Sequence, residues 1–278
     1  AILNPGDVVL LPDPGYPVFE AGSYLGGAEV YYYPLLKENN FLPVIEDIPE
    51  DVLNKTKYIV LSYPSNPVGA SAPKEMYVKM IEYAKKYNFA IINDNAYSDI
   101  IFDGREGFSF LSLPGAKDVG VEFFSLSKSY NVTGLRISFC IGNKSIIDAF
   151  KLLRSQYDFG MSYPAQKAAI AALRGPRDSV KAQCAEYQRR RDALLNGLRK
   201  YGWNVPDSHG TMFVWLPVPE GYTSASFTEA LMDKVGVIGT PGTAFGPLGE
   251  GYIRFALTKS AEELAVIADV IGQSGVLS

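Results

Sequence analysis

The sequence predicts an α/β protein, a mainly parallel sheet sandwiched by helices, followed by a smaller C-terminal α+β unit. Two observations carry this. Up to about residue 150, short apolar runs alternate with stretches of helical periodicity, the pattern of parallel strands joined by crossover helices. Beyond Ser145 the texture changes to long helices, and from Trp203 onward short strands return. The expected units are residues 1–180 (the large one) and residues 181–278 (the small one). A chain of 278 residues with 47% hydrophobic content has enough apolar surface to build a core in each.

The elements follow in order. An apolar run at 8–11 is stopped by Pro12-Asp13-Pro14-Gly15-Tyr16-Pro17, a proline-rich turn that holds Tyr16 at the end of a strand. An aromatic in that place either stacks on a planar ligand or covers the edge of the core. A helix is predicted over 18–26, a strand over 28–33, helical and turn signals over 41–53, and a buried strand over 58–62. Pro64 and Pro67 restrict the residues before them and hold Ser65-Asn66 in a defined loop. The helix predicted over 73–88 carries Met76, Met80, Ile81 and Ala84 at helical spacing, a core face.

The strand over 90–94 ends on Asp94, which reads either as a helix cap or as a functional acid, with Tyr97 close enough to converge on the same ligand. Runs at 119–124 and 137–142 complete the first set of strands. Helices are predicted at 145–156, 163–174 and 176–201, then strands at 212–216, 235–238 and 252–257 with helices at 226–234 and 260–271.

Composition excludes several function classes. A net charge of −4 with no block of like charge leaves no footprint for nucleic acid. The densest basic cluster, Arg189-Arg190-Arg191, has acidic neighbours Glu186 and Asp192 and reads as a solvated helix face. No apolar run is long enough to span a membrane. Cys140 and Cys184 are too far apart for a ligand pair and too few for a disulfide framework, which favours a reducing compartment. His209 is the only histidine, so no His-rich metal site is expected. The chain starts at Ala1-Ile2-Leu3-Asn4-Pro5 without an initiator Met, one turn before a strand, and reads as the remainder of something longer.

The stretch with most chemistry runs from Ser125 to Arg136. It follows an apolar run, so Lys128 is placed where a strand ends and the chain turns, a common site for functional side chains in α/β proteins. A lysine amine condenses with aldehydes once burial or a nearby cation lowers its pKa, and Arg136 offers a planar fork suited to phosphate. Taken alone, the same residues also read as a polar loop with solvated Lys and Arg.

Taken in order the signals are more specific. Asn66-Pro67 after one strand, Asp94 with Tyr97 after the next, Ser125 through Lys128 after another, then Arg136 and finally Arg254 resemble the fold-type I, class I/II pyridoxal-phosphate aminotransferases over the whole chain. Three segments, Asn4-Pro5-Gly6-Asp7-Val8-Val9, Asp13-Pro14-Gly15-Tyr16-Pro17-Val18 and Gly249-Glu250-Gly251-Tyr252-Ile253-Arg254, are similar to the LL-diaminopimelate aminotransferases.

The resemblance implies a large domain that binds pyridoxal 5'-phosphate, with the family's N-terminal part absent. It implies that Lys128 holds the cofactor aldehyde and acts as base, that Asp94 pairs with the pyridinium nitrogen, and that Tyr97 and Asn66 donate to the ring oxygen. Tyr16 would stack on the ring, Ser125, Ser127 and Arg136 would hold the phosphate, and Arg254 with Asn66 would clamp the substrate carboxylate. Gln156 stands where the diaminopimelate enzymes usually carry an Asn reaching toward the partner subunit's site. Val68 and Ser138 replace a common Thr and Gly, with effects expected on packing alone.

The implied activity is transfer of an amino group between an amino acid and a 2-oxo acid, LL-diaminopimelate and 2-oxoglutarate in lysine biosynthesis being the assignment, by a cytoplasmic homodimer with shared active sites. No metal, nucleic acid or membrane is expected. Two other readings stay open: a pyridoxal-phosphate C–S lyase, and a truncated inactive fragment that holds no cofactor.

Overall fold

The computed structural model describes residues 1–277; Ser278, the last residue of the expected second unit, lies outside them. The first part of the chain runs β1 (Val8–Asp13), α1 (Val18–Leu25), β2 (Glu29–Pro34), α2 (Glu50–Leu53), β3 (Thr56–Ser62), α3 (Lys74–Tyr87), β4 (Ala90–Asp94), α4 (Ala116–Val119), β5 (Gly120–Ser125), α5 (Leu126–Ser129) and β6 (Ser138–Gly142). Three helices follow, α6 (Lys144–Tyr157), α7 (Tyr163–Arg174) and α8 (Asp178–Lys200). The last part runs β7 (Phe213–Pro217), α9 (Ser224–Val235), β8 (Thr240–Pro241), β9 (Tyr252–Ala256) and α10 (Ala261–Gln273).

The larger sheet has the order β2-β1-β3-β4-β5-β6 and is parallel except for β6, which pairs antiparallel with β5. Its central strands are largely apolar because both faces are covered, with Asn93 and Glu122 among the buried polar exceptions. Alternation sends Leu10, Ile59, Leu61 and Ile91 to a core shared with Met76, Met80, Ile81 and Ala84 of α3. Val9, Leu11, Tyr58 and Val60 point to the opposite core, against Ile2 and Phe19. Each fully buried Leu or Ile here contributes roughly 1.5–3 kcal/mol. The periodic face read from the sequence of α3 is therefore the face that packs, and Asn88 ends that helix in the left-handed conformation, φ 57°.

A second core joins α8 and α10 to the three-stranded sheet β7-β9-β8. Leu194, Leu195 and Leu198 meet Leu264, Ala268 and Ile271 over Val214, Leu216, Ile253 and Phe255. The two helices approach closely at Gly197, where a Cβ would lie 2.5 Å from that of Ala268. Reciprocal capping boxes, Thr223 with Ser226 and Ser260 with Glu263, start α9 and α10.

Two expectations are corrected. Residues 235–238 form no strand; Gly236, at φ 67°, ends α9, and the amides of Gly236 and Val237 are spent on the carbonyls of Met232 and Leu231. The strand beside β9 is instead Thr240–Pro241. Nor is the arginine cluster wholly solvated. Arg191 is buried, its Nη1 and Nη2 each 2.7 Å from the carboxylate of Asp103, with Nη1 also 2.8 Å from Ser208 O and the guanidinium over the Phe102 ring at 4.8 Å. The helical spacing of three consecutive arginines buries Arg191, half-buries Arg190 against Leu257 O and leaves Arg189 exposed, and acidic neighbours in sequence could not tell which. Arg191→Met should cost roughly 1–3 kcal/mol, because Ser208 O loses its donor and Asp103 its partner. Urea unfolding measures this, and a change within error of zero would contradict it.

Candidate active site

A parallel sheet brings its strand ends to one edge. The register sets Ser62 opposite Asp94 and Asp94 opposite Phe123, so the segments after β3, β4 and β5 start side by side. The segment after β1 joins them, next to the switch point where β1 lies between β2 and β3. Tyr16, Asn66, Asp94 with Tyr97, and Ser125 through Lys128 all lie on these segments.

Lys128 sits in α5, one turn beyond β5. Ser125 Oγ caps that turn by accepting from Ser127 N at 3.2 Å, Thr133 Oγ1 donates to Ser127 O at 3.2 Å, and Gln183 of α8 donates to Lys128 O. The backbone that carries the lysine is thus tied on both sides. Burial, then the positive charge of Arg136, pulls the Lys128 amine below its usual range. A depressed ammonium leaves more free amine near neutral pH. Arg136 has left-handed backbone, φ 52°, its Nη1 donating to Thr133 O at 3.1 Å and its side chain exposed.

Asp94 accepts from Ala96 N at 3.2 Å and has no cation beside it among the described residues. Burial raises its pKa from 3.8 to about 6. Tyr97 is buried, packs edge-on against Phe213 at 6.2 Å, and has its phenol pushed up by burial and by Asp94.

Arg254 comes from the other sheet. Its guanidinium lies 4.0 Å from the Phe213 ring centroid and 4.5 Å from that of Phe245, and its Nη1 donates to Asn66 Oδ1 at 2.7 Å. Its Nε is buried without a partner, and desolvation lowers its pKa. Because Asn66 Oδ1 is used by Arg254, Nδ2 remains as the donor that the amide can offer a ligand. Phe245 is held to the turn after β1 by the bond from Gly15 N to Phe245 O, 2.7 Å, so the loop that carries Tyr16 is coupled to the ring that covers Arg254. Tyr16 itself is 42% exposed, edge-on to Phe19.

The structure thus brings Asn66, Tyr97 and Arg254 together through Phe213, and sets Asp94 and Lys128 on adjacent strand ends. It does not bring in Gln156, which is exposed on α6 and bonded to Ser155 Oγ at 3.1 Å. Sequence reading missed Phe213 and Phe245, which resemble any core aromatic, and Ser65, whose buried hydroxyl has no partner. Cavities of about 500 and 320 Å³ lie elsewhere, the first lined by Val68, Trp215 and Tyr252, the second by Tyr77, Asn95 and His209. Neither includes Lys128.

The donor set fits pyridoxal 5'-phosphate. It holds an amine with lowered pKa, a partly buried carboxyl without a cation, two neutral donors in Asn66 and Tyr97, and two serines with an arginine for an anion. Residues 1–271 match the family described as aminotransferase class I and II, and the chain belongs to that family. It is a pyridoxal-phosphate-dependent aminotransferase, transferring an amino group between an amino acid and a 2-oxo acid.

The chain is 52% identical over 262 residues to an LL-diaminopimelate aminotransferase of Dehalococcoides mccartyi, covering 94% of this chain and 68% of that protein. To the enzyme of the same name from Halothermothrix orenii it is 44% identical, covering 94% and 67%. A substrate-bound structure of BacF from Bacillus subtilis superposes with a TM-score of 0.95 at 36% identity, covering 99% of this chain and 70% of that one. Among the described residues no helix is long and apolar enough to cross a membrane, and no cluster of His, Cys, Asp and Glu suits a metal.

The raised pKa of Asp94 has a consequence for stability. The folded carboxyl binds its proton more tightly than the ordinary 3.8, so stability of the cofactor-free protein falls as pH rises from about 4 to about 6. Asp94→Asn should therefore stabilise the cofactor-free protein by roughly 1–2 kcal/mol at pH 8 and leave it near wild type at pH 4. Denaturant titration at both pH values checks this; a less stable variant at pH 8 would refute it.

Proposed function

We propose that Lys128 is the residue to which the cofactor is bonded and the base that moves the substrate proton. The observation that supports this is the side-by-side placement of Ser62, Asp94 and Phe123, which carries Asn66, Asp94 and Lys128 to one edge of the sheet. When bound, pyridoxal phosphate supplies a sink for the electrons released at the substrate α-carbon. Lys128 Nζ would take the proton from the α-carbon of the amino acid and, in the half-reaction that follows, deliver one to the α-carbon of the 2-oxo acid that receives the amino group, a role suited to an amine whose pKa burial has lowered.

Asp94 would place its carboxylate at the ring nitrogen and favour its protonated form, and a positive ring would in turn lower the proton affinity that burial raises. Asn66 Nδ2 and the Tyr97 hydroxyl would donate to the ring oxygen, and Tyr16 would stack on the ring. Ser125, Ser127 and Arg136 hold the phosphate. Arg254, held between Phe213 and Phe245 and by Asn66, clamps the substrate α-carboxylate with two parallel bonds and turns the α-hydrogen toward Lys128. Such orientation is worth several kcal/mol of barrier, on the order of 7–11 in the best intramolecular cases.

The substrate assigned is LL-diaminopimelate with 2-oxoglutarate as acceptor, in lysine biosynthesis in the cytoplasm, supported by the names of relatives 52% and 44% identical. The protein acts as a homodimer with shared sites, Gln156 reaching the partner's substrate. In support, α6 and α7 with the turn between them expose the large apolar side chains Leu152, Tyr157, Phe159 and Tyr163, which an interface would cover. A cofactor-binding unit over residues 1–180 and a small unit over 181–278 are supported by the two sheets with separate cores.

Lys128→Ala should lose the near-visible absorbance of protein-bound cofactor together with turnover. Arg254→Lys should keep the absorbance and lose about 10²-fold in kcat/KM, through KM for the amino acid and the 2-oxo acid alike. Production of glutamate from 2-oxoglutarate and LL-diaminopimelate tests the substrate; release of ammonia and pyruvate from a Cβ-substituted amino acid in its place would overturn the assignment.

A further inference from the structure

Glu122 is 0% exposed, on β5 opposite Asn93 of β4. Its carboxylate accepts from Asn95 Nδ2 at 2.7 Å, from Asn93 Nδ2 at 3.3 Å and from Leu111 N at 3.4 Å. Asn93 is fixed on its other side, where its Oδ1 accepts from the Tyr77 hydroxyl at 3.1 Å. Both asparagines are themselves buried. Burial raises the pKa of Glu122, and the hydrogen bonds from Asn95, Asn93 and Leu111 oppose that rise.

None of these residues touches the proposed cofactor, yet they bracket the one that does. Along a strand successive side chains point to opposite faces. Asn93 and Asn95 turn to the face where Glu122 waits, and Asp94, between them, turns to the other. The pairing is carried past Asp94 by the bond from Asn95 N to Phe123 O, 2.9 Å. Asp94 has little of its own to aim it, a single bond from Ala96 N. Its direction therefore comes from the backbone of residues 93–95, and that backbone is gripped at both flanking side chains by one buried carboxylate. Releasing either asparagine would leave a buried polar group unmatched, which makes the grip stiff.

We propose that Glu122 is a positioning residue for transamination: by clamping Asn93 and Asn95 it aims the Asp94 carboxylate at the cofactor ring nitrogen. This rests on the role assigned to Asp94 above.

The test is a double-mutant cycle on the affinity for pyridoxal phosphate, read by absorbance titration of wild type, Glu122→Gln, Asp94→Asn and the double variant, each with its melting temperature. Gln keeps the shape of Glu but turns an amide donor toward the asparagine donors. Glu122→Gln should weaken cofactor binding about tenfold, and the double variant should bind as Asp94→Asn alone does, because the loss passes through Asp94. Losses that multiply in the double variant, or a Glu122→Gln protein that melts lower yet binds cofactor like wild type, would show a structural role only and overturn the proposal. If Asp94→Asn alone leaves affinity unchanged, the assignment of Asp94 fails, and the positioning role falls with it. Should Glu122→Gln not fold, Asn95→Ala, which removes one arm of the clamp, enters the same cycle with the same outcomes.

Discussion

Parallel pairing is the constraint on which the rest of this molecule depends. Strands that run the same way, in register, must end at the same edge, and the chain must leave that edge through turns before it can enter the next helix. Ser62, Asp94 and Phe123 stand abreast for this reason alone. Functional groups far apart in sequence become neighbours at no further energetic cost, because the apolar interiors of β1, β3, β4 and β5 have already stabilised the arrangement. The proposed cofactor chemistry uses an edge that packing had to build.

The groups at this edge share a physical condition. Lys128 and Arg254 have their pKa values pulled down and Asp94 has its pKa pushed up, in each case chiefly by burial. The charged form of each is disfavoured, and among the described residues none is paired with an opposite charge. A ligand with a cationic ring and anionic groups would relieve all three. The Nε of Arg254 and the hydroxyl of Ser65, buried without partners, belong to the same condition. Stability is held below what apolar substitutes would give, as is common where polar groups await a partner.

The two sheets are linked by apolar clusters, Val68 with Trp215 and Phe245, and Tyr97 with Phe213, and by a few polar bonds. Arg254 reaches Asn66 across 188 positions of sequence, Gly15 holds Phe245, and Leu248 N donates to the buried Asp13 at 3.1 Å. A side chain at Gly246 could not be accommodated there, since its Cβ would lie 2.2 Å from Asp13 Oδ1. The same contacts that fasten the small sheet also set the height of the proposed carboxylate clamp over the strand ends.

Much of this was legible in the amino-acid sequence, for reasons that are local. Short apolar runs and the spacing of Met76, Met80, Ile81 and Ala84 declare strands and a helix face, since burial acts on neighbours along an element. That Lys128, Asp94 and Asn66 follow strand ends was legible because turn-forming residues stand beside them, whereas their proposed roles, and that of Arg254, come from the resemblance. What only the tertiary structure decided depends on who faces whom. The inward turn of Arg191 toward Asp103, the stacking of Arg254 between Phe213 and Phe245, the end of α9 where a strand was expected, and the grip of Glu122 on Asn93 and Asn95 all arise between segments distant in the chain. Local propensity carries no record of such partners; they exist only once the sheet has brought the segments together.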